Sequence, residues 1–294
     1  MKRITMAIAM ASTLLTLAYA QPAMPPSGAP PAAVGQAGKP SLEHAAVNYW
    51  KDSTFHQTDI DLKDYAKGMI RAKVDGTWQE FQVRELPKSF LDWNFAGRHS
   101  YIEHLRKDEM PPLAGPHNGI VASHGLKRKD SQMSINNAVK GMGFLPKKEK
   151  LPEMLALVKA TWNDSISRKL DILDSLYTNC QDNFDKNKLV SLELYSKPAF
   201  ETHTFLNQMT DPGVAIVFLD MKSFEVRALA QLLHPKDPQL SDYEKTVVEW
   251  CNKIHDYFHG DMPWRSIAVI YHVTEVFDNS PGRMKGVRII PEMP

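Results

Sequence analysis

Residues 202–240 read THTFLNQMTDPGVAIVFLDMKSFEVRALAQLLHPKDPQL. Thr204 to Met209 has the spacing of one or two helical turns, and Asp211-Pro212-Gly213 stops them. Val214 to Leu219 is an apolar run of strand length, which predicts a buried strand. Phe224 to Leu233 is a second strand, partly polar, ended by His234-Pro235 and Asp237-Pro238. A short helix, a Pro turn and two consecutive strands place this stretch in an antiparallel sheet with little helix inside it.

The flanks extend that order. Ser241 with Glu244 forms a capping box, Gly260 stops the helix that follows, and Tyr243, Val247, Trp250, Cys251, Ile254 and Phe258 share one face of it. Ser266 to Phe277 is rich in β-branched and aromatic residues and predicts a strand; Asp278 to Gly282 turns it, and Gly286 to Ile290 pairs back. Upstream, Leu189 to Tyr195 is a strand, Asp182 to Lys188 a polar turn, and Leu170 to Tyr177 fits helix or strand. A helix runs from Pro152 to about Trp162.

Residues 41–150 predict a smaller, irregular region, with the barrel-like part confined to 151–294. Ser41 to Trp50 reads as a short helix. Met69–Val74 and Trp78–Arg84 alternate apolar and polar residues about Asp75-Gly76, a hairpin signal. The stretch SFLDWNFAGRHSYIEHLRK predicts a helix, and residues 111–150, rich in Gly, Pro, Lys and Asn, predict loops.

The N-terminus reads as an export signal. Lys2 and Arg3 precede an uncharged run from Ile4 to Ala18, shorter than the ~20 residues a membrane span needs, and Ala18-Tyr19-Ala20 gives an A-x-A cleavage pattern. The expectation is a signal peptide over 1–20, cleavage near Ala20, a periplasmic or secreted location and no transmembrane span in the mature chain. Residues 21–40 hold six Pro, five Ala and three Gly and read as a disordered linker.

Across residues 171–291 the order of elements resembles the flavin-binding split-barrel family that includes pyridoxamine 5′-phosphate oxidase. The roles fall on Leu189–Tyr195, Thr204–Met209, Asp211-Pro212, Val214–Leu219 and Phe224–Leu233, with Asn207 and Pro212 matching the family pattern. The resemblance implies an α+β fold with a mainly antiparallel split β-barrel, flavin mononucleotide (or haem) as cofactor, a homodimer and flavin-dependent oxidoreductase chemistry. Members that hold flavin mononucleotide place Ser and Lys or Arg before the short helix; here Thr202 and Thr204 stand there with His203 between them, and Arg227 on the following strand is the nearest replacement cation. Trp250 and Trp264 bracket the C-terminal helix and could cover a flat cofactor, although aromatics at that spacing equally form core or interface.

Composition narrows the alternatives. With 35 basic and 34 acidic residues in 294, the net charge of +1 carries no nucleic-acid footprint. Two cysteines exclude a disulfide scaffold; Cys180 and Cys251 either pair or stay as separate thiols. No phosphate-binding loop, nucleophile elbow, H-E-x-x-H or C-x-x-C is present. Among the 11 His, His255 and His259 stand at i, i+4 and could hold a metal with Asp256 or Asp261. His99 and His104 point apart, and His117 and His124 in HNGIVASHG read as ordinary polar loop contacts. The expected function is therefore a cofactor-binding split barrel. The alternatives are a cofactor-free module of the cell envelope that takes a ligand or partner, and a His-dependent metal-binding protein.

Overall fold

The computed structural model describes residues 47–282 and 286–292. The expected signal peptide and linker lie outside the described residues, as does most of the helix expected over Ser41–Trp50; its last residues, 47–50, are not helical.

In chain order the elements begin with β1 (Ile60–Asp61), β2 (Met69–Val74), β3 (Thr77–Gln82), α1 (Lys88–Arg106), β4 (Asn118–His124), β5 (Ile135–Gly141) and β6 (Gly143–Pro146). There follow α2 (Leu151–Ala160), α3 (Ile166–Thr178), the single turn α4 (Cys180–Asn183), β7 (Phe184–Glu193), α5 (His203–Thr210), β8 (Gly213–Phe218) and β9 (Phe224–Leu233). The chain ends with α6 (Asp242–His259), β10 (Ile267–Asp278) and β11 (Val287–Ile290). β1, β2 and β3 form a small sheet; the rest form a sheet ordered β5-β4-β8-β9-β10-β7-β6, with β11 paired to β10. Every strand pairing among the described residues is antiparallel.

The strand order shows how the large sheet closes. β5 and β6 stand at opposite ends of the hydrogen-bonded path, yet only Met142 separates them in sequence. The sheet therefore curls back on itself. Lys140 on β5 donates to the buried Glu193 of β7 at 2.6 Å across the seam. This is an α+β protein built on a mainly antiparallel split barrel. Gly119 of β4 faces the crowded interior: a Cβ there would lie 2.8 Å from Ile216 Cγ2 and 2.9 Å from Met142 Cγ.

Local chemistry explains most of the elements. Asp75 (φ 52°) and Gly76 (φ 76°) are both left-handed, as the tight turn between β2 and β3 requires. Ser241 and Glu244 complete the capping box of α6, and the Thr202 side chain caps α5 by accepting from Phe205 N–H. The first seven residues of β10 are all buried, which is why that strand reads as an apolar run. α6 packs over β7 and β10, α5 over β4, β5 and β9, and α3 over α1. Phe90 and Trp93 of α1 meet Phe218 and Phe224 edge-on or tilted, anchoring that helix to β8 and β9.

Several expectations are corrected. Residues 111–150 are more than loops: between its connecting segments this stretch supplies β4, β5 and β6, which all belong to the barrel. The barrel thus draws strands from both sides of the expected boundary at 150. What stands apart within 41–150 is the small sheet, whose Ile70 and Ala72 pack on Leu229 of β9. Leu170–Tyr177 is helical, and the expected turn at 182–188 is the end of α4 and the start of β7. Cys180 and Cys251 are separate thiols, and burial pushes that of Cys251 up to about 12.

Candidate functional site

An open groove of about 1000 Å³ lies between the β2–β3 hairpin and the outer face of the barrel. Strand register builds its floor. Asn137 of β5, Ala122 of β4, Ala215 of β8, Arg227 of β9 and Glu275 of β10 are successive cross-strand partners. The two alanines leave the middle of this row low. Val74 and Phe81 of the hairpin form one wall, and His124, Arg84 and Thr274 add polar groups. A largely apolar concavity with a few convergent polar groups is the usual form of a small-molecule site.

The two guanidinium groups in the groove differ. Arg227 is compensated: it bonds Glu225 at 2.9 Å and Glu275 at 3.3 Å and lies 4.3 Å from the Phe277 ring centroid. Arg84 lines the same space, and its side chain makes no ion pair or hydrogen bond with the described residues. Its backbone N–H is tied to Val273 O, so the side chain is the part left for a ligand.

The N-terminus of α5 is arranged differently from what the resemblance implies. Thr202 Oγ1 accepts from Phe205 N–H at 3.1 Å and from the Ser196 hydroxyl at 3.2 Å. Thr204 is buried, and its hydroxyl accepts from Asn136 at 2.7 Å. A cation is present, but it comes from the β4–β5 loop: Arg128 donates to Glu201 O at 2.7 Å and pairs with Asp130. Asp130 also lies 3.2 Å from His203 Nε2, and chiefly Arg128 holds its carboxyl well below the usual range. The chain's own carboxylate thus fills the place of the anion. With Asp130 there and Glu201 beside it, these residues do not fit a dianionic phosphate.

The remaining expected site residues do not converge on the groove. Thr204 reaches it only through Asn136, which lines it. Trp264 is exposed and precedes β10, whereas Arg227 pairs with Glu275 near the other end of that strand. From Ile267 to Glu275 the strand runs about 26 Å. Trp250 is a core residue, so the two tryptophans do not flank one cofactor. The rings of His255 and His259 lie 4.7 Å apart. Of the carboxylates expected beside them, Asp256 places Oδ1 3.2 Å from His255 Nδ1 while its Oδ2 accepts from Arg265 at 2.7 Å, and Asp261 lies 3.7 Å from Lys253.

Asp75, His124 and Asp211 form the other notable cluster, at the rim of the groove, with ligand atoms all within 4.8 Å of one another. Neither this triad nor Arg84 is marked by local spacing, since one strand end, one hairpin turn and two linking segments supply them. The one local hint was the alternation in Gly119-Ile120-Val121-Ala122-Ser123, which could have exposed β4 and with it the outward face that carries His124.

No protein-family model matches the chain, and no curated protein does. Among solved structures, the chain is similar to a protein related to general stress protein 26 of B. subtilis, of the pyridoxinephosphate oxidase family, from Clostridium acetobutylicum. That protein is 10% identical, with 69% of this chain and 95% of that chain covered and a TM-score of 0.32. So slight a likeness carries no argument about the site. No described helix is long and apolar enough to cross a membrane.

Proposed function

We propose that this chain is an exported split-barrel binding protein that takes a small anionic, partly apolar ligand in the groove beneath the β2–β3 hairpin. The observation that carries this reading is Arg84, an uncompensated guanidinium facing a groove floored by Ala122 and Ala215. A charge-assisted hydrogen bond from such a group contributes about 1.5–3 kcal/mol. The reading prefers a cofactor-free module to a flavin or haem oxidoreductase, because Asp130 fills the anion position at α5. Export rests on Lys2, Arg3, the apolar run and Ala18-Tyr19-Ala20. A homodimer belongs to the same reading: Ile135 and Val139 stand 64% and 53% exposed on β5, on the face onto which the groove opens.

The test combines a spectrum with a titration. Protein purified from the compartment to which it is exported should be colourless. It should bind anilinonaphthalene sulfonate saturably, and Arg84→Ala should weaken that binding by about tenfold or more. A flavin or haem band that scales with protein would overturn the cofactor-free reading. An undiminished affinity in Arg84→Ala would overturn the groove assignment.

A further inference from the structure

We propose that Asp75, His124 and Asp211 form a site for one divalent transition-metal ion of the zinc class at the rim of the groove. This inference does not depend on the anion reading, since Arg84 has no part in it.

The triad is assembled by tertiary structure. Asp75 comes from the turn between β2 and β3, His124 is the last residue of β4, and Asp211 lies in the segment between α5 and β8. Asp211 is only 4% exposed, and no Lys or Arg among the described residues pairs with it or with Asp75. A buried carboxylate without a cation is costly. Here Asp211 is held by backbone donors alone: Asp75 N–H bonds Oδ2 at 2.7 Å, and Gly213 N–H bonds Oδ1 at 2.9 Å. These two bonds orient the carboxylate but bring it no formal positive charge, and His124 at 3.7 Å is the ionisable base beside it.

The distances to His124 are informative. Its Nε2 lies 3.7 Å from Asp211 Oδ2 and 3.8 Å from Asp75 Oδ1. Both are too long for hydrogen bonds. A tetrahedral ion with bonds of about 2.0–2.2 Å sets its ligands about 3.4 Å apart. The imidazole therefore stands between two carboxylates a few tenths of an ångström farther off on each side than an ion would impose, with all three ligand atoms within 4.8 Å of one another. Asp75 is exposed, so its side chain is free to make that adjustment. One imidazole and two carboxylates suit zinc or a neighbouring first-row ion, and two negative charges match a divalent cation. Three protein ligands leave a coordination position for water or a ligand donor, and His124 places it at the groove.

The test uses the full chain, stripped with a chelator and dialysed against Zn²⁺, with bound metal measured by mass spectrometry. One ion per chain is expected. His124→Ala and Asp75→Asn, both at side chains that bury little, should each weaken Zn²⁺ binding by more than the roughly 10–100-fold that loss of an outer-shell partner costs, with an unchanged circular dichroism spectrum. Replacing His255 and His259 together with Ala should leave binding intact. Failure of the wild type to bind Zn²⁺, or binding indifferent to both His124→Ala and Asp75→Asn, would overturn the site. Binding lost only in the His255 and His259 variant would overturn it too, by moving the ion to α6.

Discussion

Below pH 6 the buried imidazoles of His272 and His234 are each expected to cost about 1.4 kcal/mol of stability for each further pH unit, because both must stay neutral in the fold. His117 and His259, which burial also pushes down to about 3 and about 4, act in the same direction. His272 of β10 is 2% exposed. Its Nε2 donates to Gln231 Oε1 at 3.0 Å, and its Nδ1 has no partner among the described residues. Burial, helped by the charge of Lys188, pushes its pKa down to about 3. His234 is 8% exposed, and its Nδ1 accepts from Lys236 N–H at 3.1 Å and from the Thr54 hydroxyl at 2.8 Å. That nitrogen cannot carry a proton without losing both bonds. Burial and then Lys236 push its pKa down to about 4.

In the unfolded chain both rings titrate near 6.5. Between that value and the folded pKa values the unfolded state binds protons that the native state refuses, so stability rises with pH. The contribution is complete above pH 6.5 and is lost as pH falls toward 4, at about 1.4 kcal/mol per unit for each ring. Below 4 the slope eases as His234 takes a proton in the folded state. Urea unfolding at pH 7, 6 and 5 measures the slope, and His272→Asn should lower it by about 1.4 kcal/mol per unit. A stability that stays flat from pH 7 to 5 would show that neither ring is held neutral in the native state.

Arg98→Ala is expected to cost about 4 kcal/mol in urea unfolding at neutral pH. Arg98 of α1 is 3% exposed and has no carboxylate partner among the described residues. Its Nε donates to Asn94 at 2.7 Å, one terminal nitrogen to Tyr177 at 3.2 Å, and the other to Pro116 O at 3.2 Å and Met142 O at 2.7 Å. The guanidinium also lies over the rings of Phe144 and Tyr177. Met142 is the link between β5 and β6, so this one side chain fixes the point where the two ends of the barrel sheet meet. Removal strands two buried carbonyls and leaves a cavity. Arg98→Lys keeps the charge but not the fork of donors and should fall between wild type and Ala. Arg106→Ala, which breaks exposed ion pairs to Glu103, Asp171 and Asp174, should cost less than about 1 kcal/mol. A loss under about 1.5 kcal/mol in Arg98→Ala would show that solvent or a rearranged neighbour satisfies those carbonyls.

The candidate site was legible only in fragments. Arg227 and Thr204 were singled out by their places around the Asp211-Pro212 turn. Arg227 does line the groove, and Thr204 touches it through Asn136. Arg84 and His124 carried no such mark. His124 ends a strand whose inward positions, Gly119, Val121 and Ser123, include two small residues, and whose flanks are Asn and Gly, so it reads as loop. β5 is weaker still: Ile135, Asn137, Val139 and Gly141 face outward and are exposed, and Asn136, Ala138 and Lys140 between them give no apolar face. These strands form because their neighbours β8 and β7 hold them, through pairing and through the Lys140–Glu193 contact. Their own residues have little strand preference.

The sequence by itself determined the elements whose causes are local. Asp75-Gly76 makes the hairpin, Ser241 and Glu244 start α6, and Thr202 caps α5. The apolar runs at Val214–Phe218 and Ile267–Val273 are strands, the second buried throughout and the first, against expectation, only at alternate residues because its other face floors the groove. Tertiary structure alone decided that β4, β5 and β6 complete the barrel, that Asp130 occupies the expected anion position, and that Asp75, His124 and Asp211 meet. The physical reason is range. A cap or a turn is a bargain struck within four residues, whereas the seam at Met142 and the triad depend on contacts between segments far apart in the chain, and no local periodicity records them.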